Sequence, residues 1–270
     1  MTNKILYILP FRAKNQYRRK NLKLVLQWIT QVKDYLSKTH QVTMDICVVE
    51  QDREASGQIA KDQVMNVFLH NNVMFNKGWS FNVVVKQFPT YQYYVFADAD
   101  LIIPNVDEFA ERLVEYCFLE PKHVFRPFLN RLDTTLTQME VINTFSDLNG
   151  SYAKIHGNLQ KHDGLSFASS MIVMDKETYD RIGGWEESFK GWGRYDDFVT
   201  HKLAMVCQQN GLYATCEAVH LWHPITLDFS LNQDNVVLYD KYVKFSQIEL
   251  LQQIETNAKT MGNPDLYKNR

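Results

Sequence analysis

The chain has 270 residues, 45% of them hydrophobic and 22% charged, enough for one large globular domain or two modest ones. Its net charge of −2 gives no global pull toward nucleic acid or an anionic membrane surface. Cys47, Cys117, Cys207 and Cys216 form no CxxC pair and no metal-finger spacing, so they read as reduced, mostly buried thiols of a cytoplasmic protein.

"KILYILP" opens the chain as a short apolar strand; the run from Ile5 to Pro10 is too short for a signal-peptide core. No later run approaches the roughly 20 apolar residues of a membrane span. The basic cluster Arg12, Lys14, Arg18, Arg19 and Lys20 reads as a solvated helix start, with a peripheral membrane contact left open. Leu22, Val25, Leu26, Ile29, Val32 and Leu36 then follow helical spacing. "VTMDICVVEQ" is strand-like, the stretch from about Gln58 to Gln87 is expected to be mostly helical, and "YYVFADAD" supplies another strand. This alternation predicts an α/β fold with parallel strands and right-handed crossovers, whose ligands gather at the carboxyl ends of the strands.

The second half is less regular. "HVFRPF" and "SFASSMIVMD" read as strands, and a short helix from Asp175 is stopped by Gly183. A loop with two tryptophans leads into a helix from about Tyr195 to Gln209, stopped by Gly211. "LYATCEAVHLWHP" is a strand ending in His220 and His223, and the segment from "NVVLYDKY" to "ETNAK" is helical.

The chemistry gathers where strands end. Asp98 and Asp100 close an apolar strand with one residue between them, and two such carboxylates repel unless something positive lies nearby. A divalent cation is one candidate, since it takes hard oxygen ligands and stabilises a leaving diphosphate. The competing reading is a solvated Asp pair at a turn. On an extended strand His220 and His223 point to opposite sides, so only one of them is expected to face Asp100. Asp196 and Asp197 open a helix, where carboxylates also suit the dipole. Trp192 is a candidate platform for a sugar ring and Trp185 a core residue.

The order "PFR", "EQD", "FNKG", "DAD", "GGW…GWGRYDD", "HLWHP" resembles the GT-A glycosyltransferases over roughly residues 4 to 224. It is most similar to the branch of β-1,4-galactosyltransferases, chondroitin polymerases and polypeptide GalNAc-transferases. The segment "MIVMDKETYDRIGGWEESFKGWGRYDDF" carries most of the resemblance, matching that branch's acceptor-side motif in order and spacing. The resemblance implies a single GT-A domain over 1–270. In it a Rossmann-like nucleotide-binding half (about 1–104) is continuous with an acceptor and catalytic half (about 105–224) around one mixed sheet, and 225–270 forms a helical extension.

The resemblance also implies roles. Pro10, Phe11, Arg12, Glu50, Asp52 and Lys77 would lie along the nucleotide, although a surface position is the plainer reading of Lys77. Asp100 would bind the metal directly and Asp98 the ribose and metal-bound water, with His223 as a further metal ligand and His220 second. Such a mixed carboxylate and imidazole set suits Mn²⁺, with Mg²⁺ as the alternative. Asp196 falls on the general-base position and Asp197 on a neighbouring acidic one, while Trp192 and Tyr195 would meet the acceptor. The family's usual Glu is replaced by Tyr195, and Arg194 stands where relatives often have Gly.

The implied activity is metal-dependent, inverting transfer of a hexosyl or N-acetylhexosaminyl group from a nucleotide sugar, a UDP-sugar, to a hydroxyl of a glycan or glycoconjugate in glycan biosynthesis. Two alternatives stand beside it. Tyr195 keeps open a catalytically inactive nucleotide-sugar-binding module. A metal-dependent nucleotidyltransferase would want a Gly-rich phosphate loop, and "PFRAKNQYRR" has no glycine.

Overall fold

The computed structural model describes residues 3–57, 64–118, 124–207, 211–224 and 229–268. Strand β1 (Asn3–Phe11) buries alternate residues on both faces: Ile5, Tyr7, Leu9 and Phe11 enter one apolar cluster, Leu6 and Ile8 another. A strand covered on both sides reads as a continuous hydrophobic run, as "ILYIL" does. Helix α1 (Gln16–Thr39) follows, capped by the Asn15 side chain, and presses Leu22, Val25, Trp28, Ile29, Val32 and Leu36 onto the first cluster.

β2 (Val42–Asp52) pairs in parallel with β1, and β3 (Met65–His70) in parallel with β2. The expected helix from Gln58 to Gln87 therefore divides. Residues 58–63 lie outside the described residues, β3 takes the middle, and only α2 (Lys77–Gln87) is helical. β3 lies at the end of the sheet, where buried Val67 and Leu69 alternate with exposed Asn66 and Phe68. That is strand periodicity, and it won over the helical expectation.

β4 (Tyr93–Ala97) pairs in parallel with β1 up to Ile8↔Phe96, so "PF" and Asp98 arrive at the same edge of the sheet. Next come β5 (Leu101–Ile102), α3 (Val106–Phe118), β6 (Phe125–Arg126), β7 (Asn130–Asp133), α4 (Leu136–Val141), α5 (Phe145–Ile155), β8 (Gln160–His162), β9 (Met171–Asp175) and α6 (Lys176–Arg181). α7 (Tyr195–Lys202) runs on as a π turn over Leu203–Cys207, while 208–210, the expected helix end, lie outside the described residues. β10 (Leu212–Tyr213), β11 (Glu217–His220), α8 (Phe229–Tyr242) and α9 (Gln247–Ala258) complete the order.

The main sheet has the order β10-β6-β9-β4-β1-β2-β3, with β9 antiparallel to both β4 and β6. It is mixed, but it is not the one sheet expected. A second, four-stranded sheet, β5-β11-β7-β8, lies beside it. Tyr242, Leu250 and Ile254 of the last two helices close a third cluster over Phe189 and Phe198. All four cysteines are buried, and no disulfide joins them. Among the described residues no helix is long and apolar enough to cross a membrane.

Candidate active site

The second sheet builds the first half of the site. Leu101 of β5 pairs with His220 of β11, and the Leu221 amide donates to the Asp100 carbonyl at 2.8 Å. The chain leaves β11 after His220, so strict alternation ends there and His223 can return to the same spot. His220 Nε2 lies 3.7 Å and His223 Nε2 3.1 Å from the Asp100 carboxylate, which is almost fully buried. The expectation that only one histidine faces Asp100 is therefore corrected: both do. Among the described residues, Asp100, His220 and His223 have ligand atoms that all fall within 4.8 Å of one another.

Parallel pairing of β11 with β7 sets Asp133 directly opposite His220, with Asp133 Oδ1 3.3 Å from His220 Nδ1. A carboxylate on Nδ1 leaves Nε2 as the free ligand atom, the arrangement metal-binding histidines commonly have. Burial pushes Asp133 up, but His220 and Arg131 outweigh it and bring its carboxyl to about 2. Arg131 Nε donates to Asp133 at 3.0 Å and its Nη1 to Ser170 Oγ at 3.2 Å. Ser170 sits in the left-handed region at φ 68°, a strained place for a residue with a side chain, and its carbonyl accepts from the Asp98 amide at 2.8 Å.

Asp98 itself stands apart from this three-ligand cluster. Its carboxylate is held at 2.6 Å by Lys77, which also lies 3.3 Å from Asp196. Lys77 is no surface residue, since only 5% of its side chain is exposed. Burial alone would lower the Lys77 ammonium, but Asp196 and Asp98 reverse that and hold it well above its ordinary value. Burial raises Asp196 well above the usual carboxylate range; Lys77 opposes this and Asp98 adds to it. One buried cation thus joins the strand-end carboxylate to the carboxylate of α7.

Local geometry presents Asp196. Gly191 and Gly193 take positive φ, and so does Arg194 at 68°, a conformation that favours glycine. Arg194 is retained by its bond to Asp197 at 3.0 Å and by the Tyr239 ring. Asp197 is thereby occupied with Arg194 at the surface of the helix start. Neither aspartate makes a side-chain cap, because Arg194 occupies the cap position of α7. The tryptophan loop is bound to α2 through Asn82, which donates to the Trp185 carbonyl and Glu187 and accepts from Tyr179 and the Trp185 amide. Trp185 is core, whereas Trp192 is 59% exposed.

Tyr195 is half-buried, with Lys77 Nζ 5.0 Å from its ring centroid, and burial raises its phenol above the ordinary value. The resemblance implies that Tyr195 meets the acceptor, and on that expectation Tyr195→Glu should change acceptor preference while UDP affinity stays within about threefold of wild type. A panel of sugar acceptors beside UDP calorimetry checks this. Collapsed UDP binding with unmoved acceptor preference would remove Tyr195 from the acceptor side.

The residues expected along the nucleotide divide. Pro10 and Phe11 are buried in the sheet, where Phe11 still pairs with Glu50. Glu50 is also fully buried; Oε1 accepts from the Ser56 amide at 2.9 Å and Oε2 has no hydrogen-bond partner among the described residues. Arg12 donates to the carbonyls of Gln51, Val73 and Asn71, so it ties strand ends together. Asp52 is partly exposed and accepts from the Arg53 amide. Of the basic cluster, Lys14 and Arg19 are exposed as expected, whereas Arg12 is spent on these carbonyls, Arg18 on Asp100 and Lys20 on the Met139 carbonyl.

No family model matches the chain, and no curated protein sequence matches it significantly. Solved structures do. Glucosyl-3-phosphoglycerate synthase from Mycobacterium tuberculosis with Mn²⁺ and UDP-glucose superposes with a TM-score of 0.52 at 13% identity, covering 89% of this chain and 79% of that one. The same enzyme in another crystal gives 0.50 at 12% identity, covering 88% and 80%. The catalytic domain of Drosophila beta1,4-galactosyltransferase 7 with xylobiose gives 0.47 at 14% identity, covering 79% and 67%. Likeness at such identities speaks to architecture, and with the mixed sheet described above it leads to one statement: the chain has the GT-A fold of the glycosyltransferases.

Proposed function

We propose that the protein is a metal-dependent glycosyltransferase that moves a hexosyl or N-acetylhexosaminyl group from a UDP-sugar to an acceptor hydroxyl with inversion. The observation that carries this reading is the Lys77 bridge. It joins Asp196, a carboxylate of raised pKa, to Asp98, two residues along the chain from Asp100 of the Asp100, His220 and His223 cluster on a GT-A fold.

Asp100, His220 and His223 fit a divalent cation. Their donor atoms converge, Asp133 holds one imidazole in the ligand tautomer, and Arg18 already stands in as a cation on Asp100. A bound Mn²⁺ or Mg²⁺ would supply Lewis-acid stabilisation of the leaving diphosphate. Asp196 takes the proton of the acceptor hydroxyl, for which a raised pKa is the suitable setting. Lys77 holds one oxygen of Asp196 and keeps Asp98 in place. Exposed Trp192 offers a flat face to the acceptor ring. UDP as the nucleotude is supported by the UDP-glucose held by the fold neighbour.

A melting-temperature panel of UDP-, GDP- and CDP-sugars, with and without Mn²⁺, tests the reading. Only UDP-sugar with Mn²⁺ should raise Tm, by about 5–10 °C at a hundredfold excess over Kd. Slow hydrolysis of that UDP-sugar without acceptor should accompany it. Binding without any turnover would favour an inactive binding module, and no shift with any nucleotide would sink the proposal.

A further inference from the structure

The first turns of α1 lie directly on the histidine segment. Tyr17 packs edge-on against Trp222 with ring centroids 5.1 Å apart. Asn21, fully buried, donates to the carbonyls of Leu221 and Trp222 at 3.0 and 3.3 Å. Between them Arg18 reaches Asp100 Oδ2 at 2.5 Å, the same oxygen that His223 faces. The first turn of α1 carries no acid, and Arg18 finds its partner in Asp100, 82 residues along the chain.

A divalent cation on that oxygen would compete with the guanidinium for the same lone pairs, and the two positive charges would repel. The Arg18 side chain is 38% exposed and ends a flexible stem, so it can leave, whereas Asp100 is 95% enclosed and cannot follow it. Resting on the glycosyltransferase reading, we infer that Arg18 is a built-in counter-ion of the metal-free site which exchanges partners. It neutralises Asp100 until the metal takes that carboxylate, and then it binds the diphosphate of the incoming nucleotide. Arginine suits the second partner, because its planar fork matches phosphate oxygens. Free metal must displace Arg18 unaided, but in the presence of the nucleotide the displaced cation gains a new anion. Metal and UDP therefore bind cooperatively, and part of that coupling runs through one side chain.

The exchange predicts opposite signs in two binding measurements. By calorimetry, Arg18→Ala should bind Mn²⁺ alone about three- to tenfold more tightly than wild type, because a competitor has gone. At saturating Mn²⁺ the same variant should bind UDP roughly 10- to 100-fold more weakly, the loss typical of a charge-assisted hydrogen bond. Arg18→Lys, which keeps the charge without the fork, should fall between on both axes and serves if the alanine variant does not fold. Weaker binding of Mn²⁺ alone would make Arg18 a support for Asp100 and overturn the exchange. Tighter Mn²⁺ with unchanged UDP would overturn the diphosphate role. A wild-type protein that binds neither Mn²⁺ nor UDP would overturn the glycosyltransferase reading and this inference with it, whereas wild-type binding that Arg18 variants leave unmoved would overturn the inference alone.

Discussion

Asp196→Asn is expected to cut sugar transfer by about 10²–10⁴-fold while Mn²⁺ and UDP-sugar binding persist, the range that general-base catalysis typically contributes. Asparagine keeps the size of the side chain and an oxygen for Lys77, but it cannot accept a proton from the acceptor. With Asp196 as the proposed base, its raised pKa should give wild-type transfer an acid limb above the pH at which ordinary aspartates titrate, with transfer falling as pH drops through it. The variant's residual activity should lack that limb. Stability moves the other way. A carboxyl whose folded pKa exceeds its unfolded value loses stability as pH rises between the two, and the deficit persists above both. Asparagine removes that deficit, so Tm of the metal-free variant should rise at pH 8 and change little at pH 4. Asp197→Asn should cost transfer far less, since Asp197 is engaged with Arg194. Wild-type transfer rates in single turnover would end the case for Asp196 as the base.

The long elements were legible because their side chains repeat a period. β1, α1, β2 and β4 each bury enough residues to make the pattern plain. The second sheet was legible only in β11, which lies within the strand read from "LYATCEAVHLWHP"; β5, β7 and β8 are two to four residues long and too short to show any period. Asp133 was missed for that reason. Nothing in "NRLD" says that it will lie opposite His220, and only the β7–β11 register puts it there. Arg18 was missed because a basic run at a helix start is ordinarily solvated, and its partner is 82 residues away. The burial of Lys77 was missed as well: Asn76, Lys77 and Ser80 fall on one side of α2 and read as a polar face, but the structure buries every residue from 77 to 85, and a lysine there must have an anionic partner.

The proposed metal centre carries the other large expected effect. Asp100→Ala should abolish Mn²⁺-dependent UDP binding, because it removes the carboxylate on which both histidines converge and leaves Arg18 without its partner. His223→Ala and His220→Ala should each do nearly the same if both imidazoles are ligands, as their common approach to Asp100 implies. Asp133→Asn should weaken Mn²⁺ by about 10–100-fold, the usual effect of losing the group that orients a ligating histidine. The grading identifies the ligand set. Loss in His223→Ala with unchanged affinity in both His220→Ala and Asp133→Asn would leave His223 as the one histidine on the metal. His220 and Asp133 would then be a structural pair of the second sheet. Unchanged Mn²⁺ affinity in Asp100→Ala would remove the site altogether, because no arrangement of the two imidazoles alone supplies the hard oxygen that Mn²⁺ takes here.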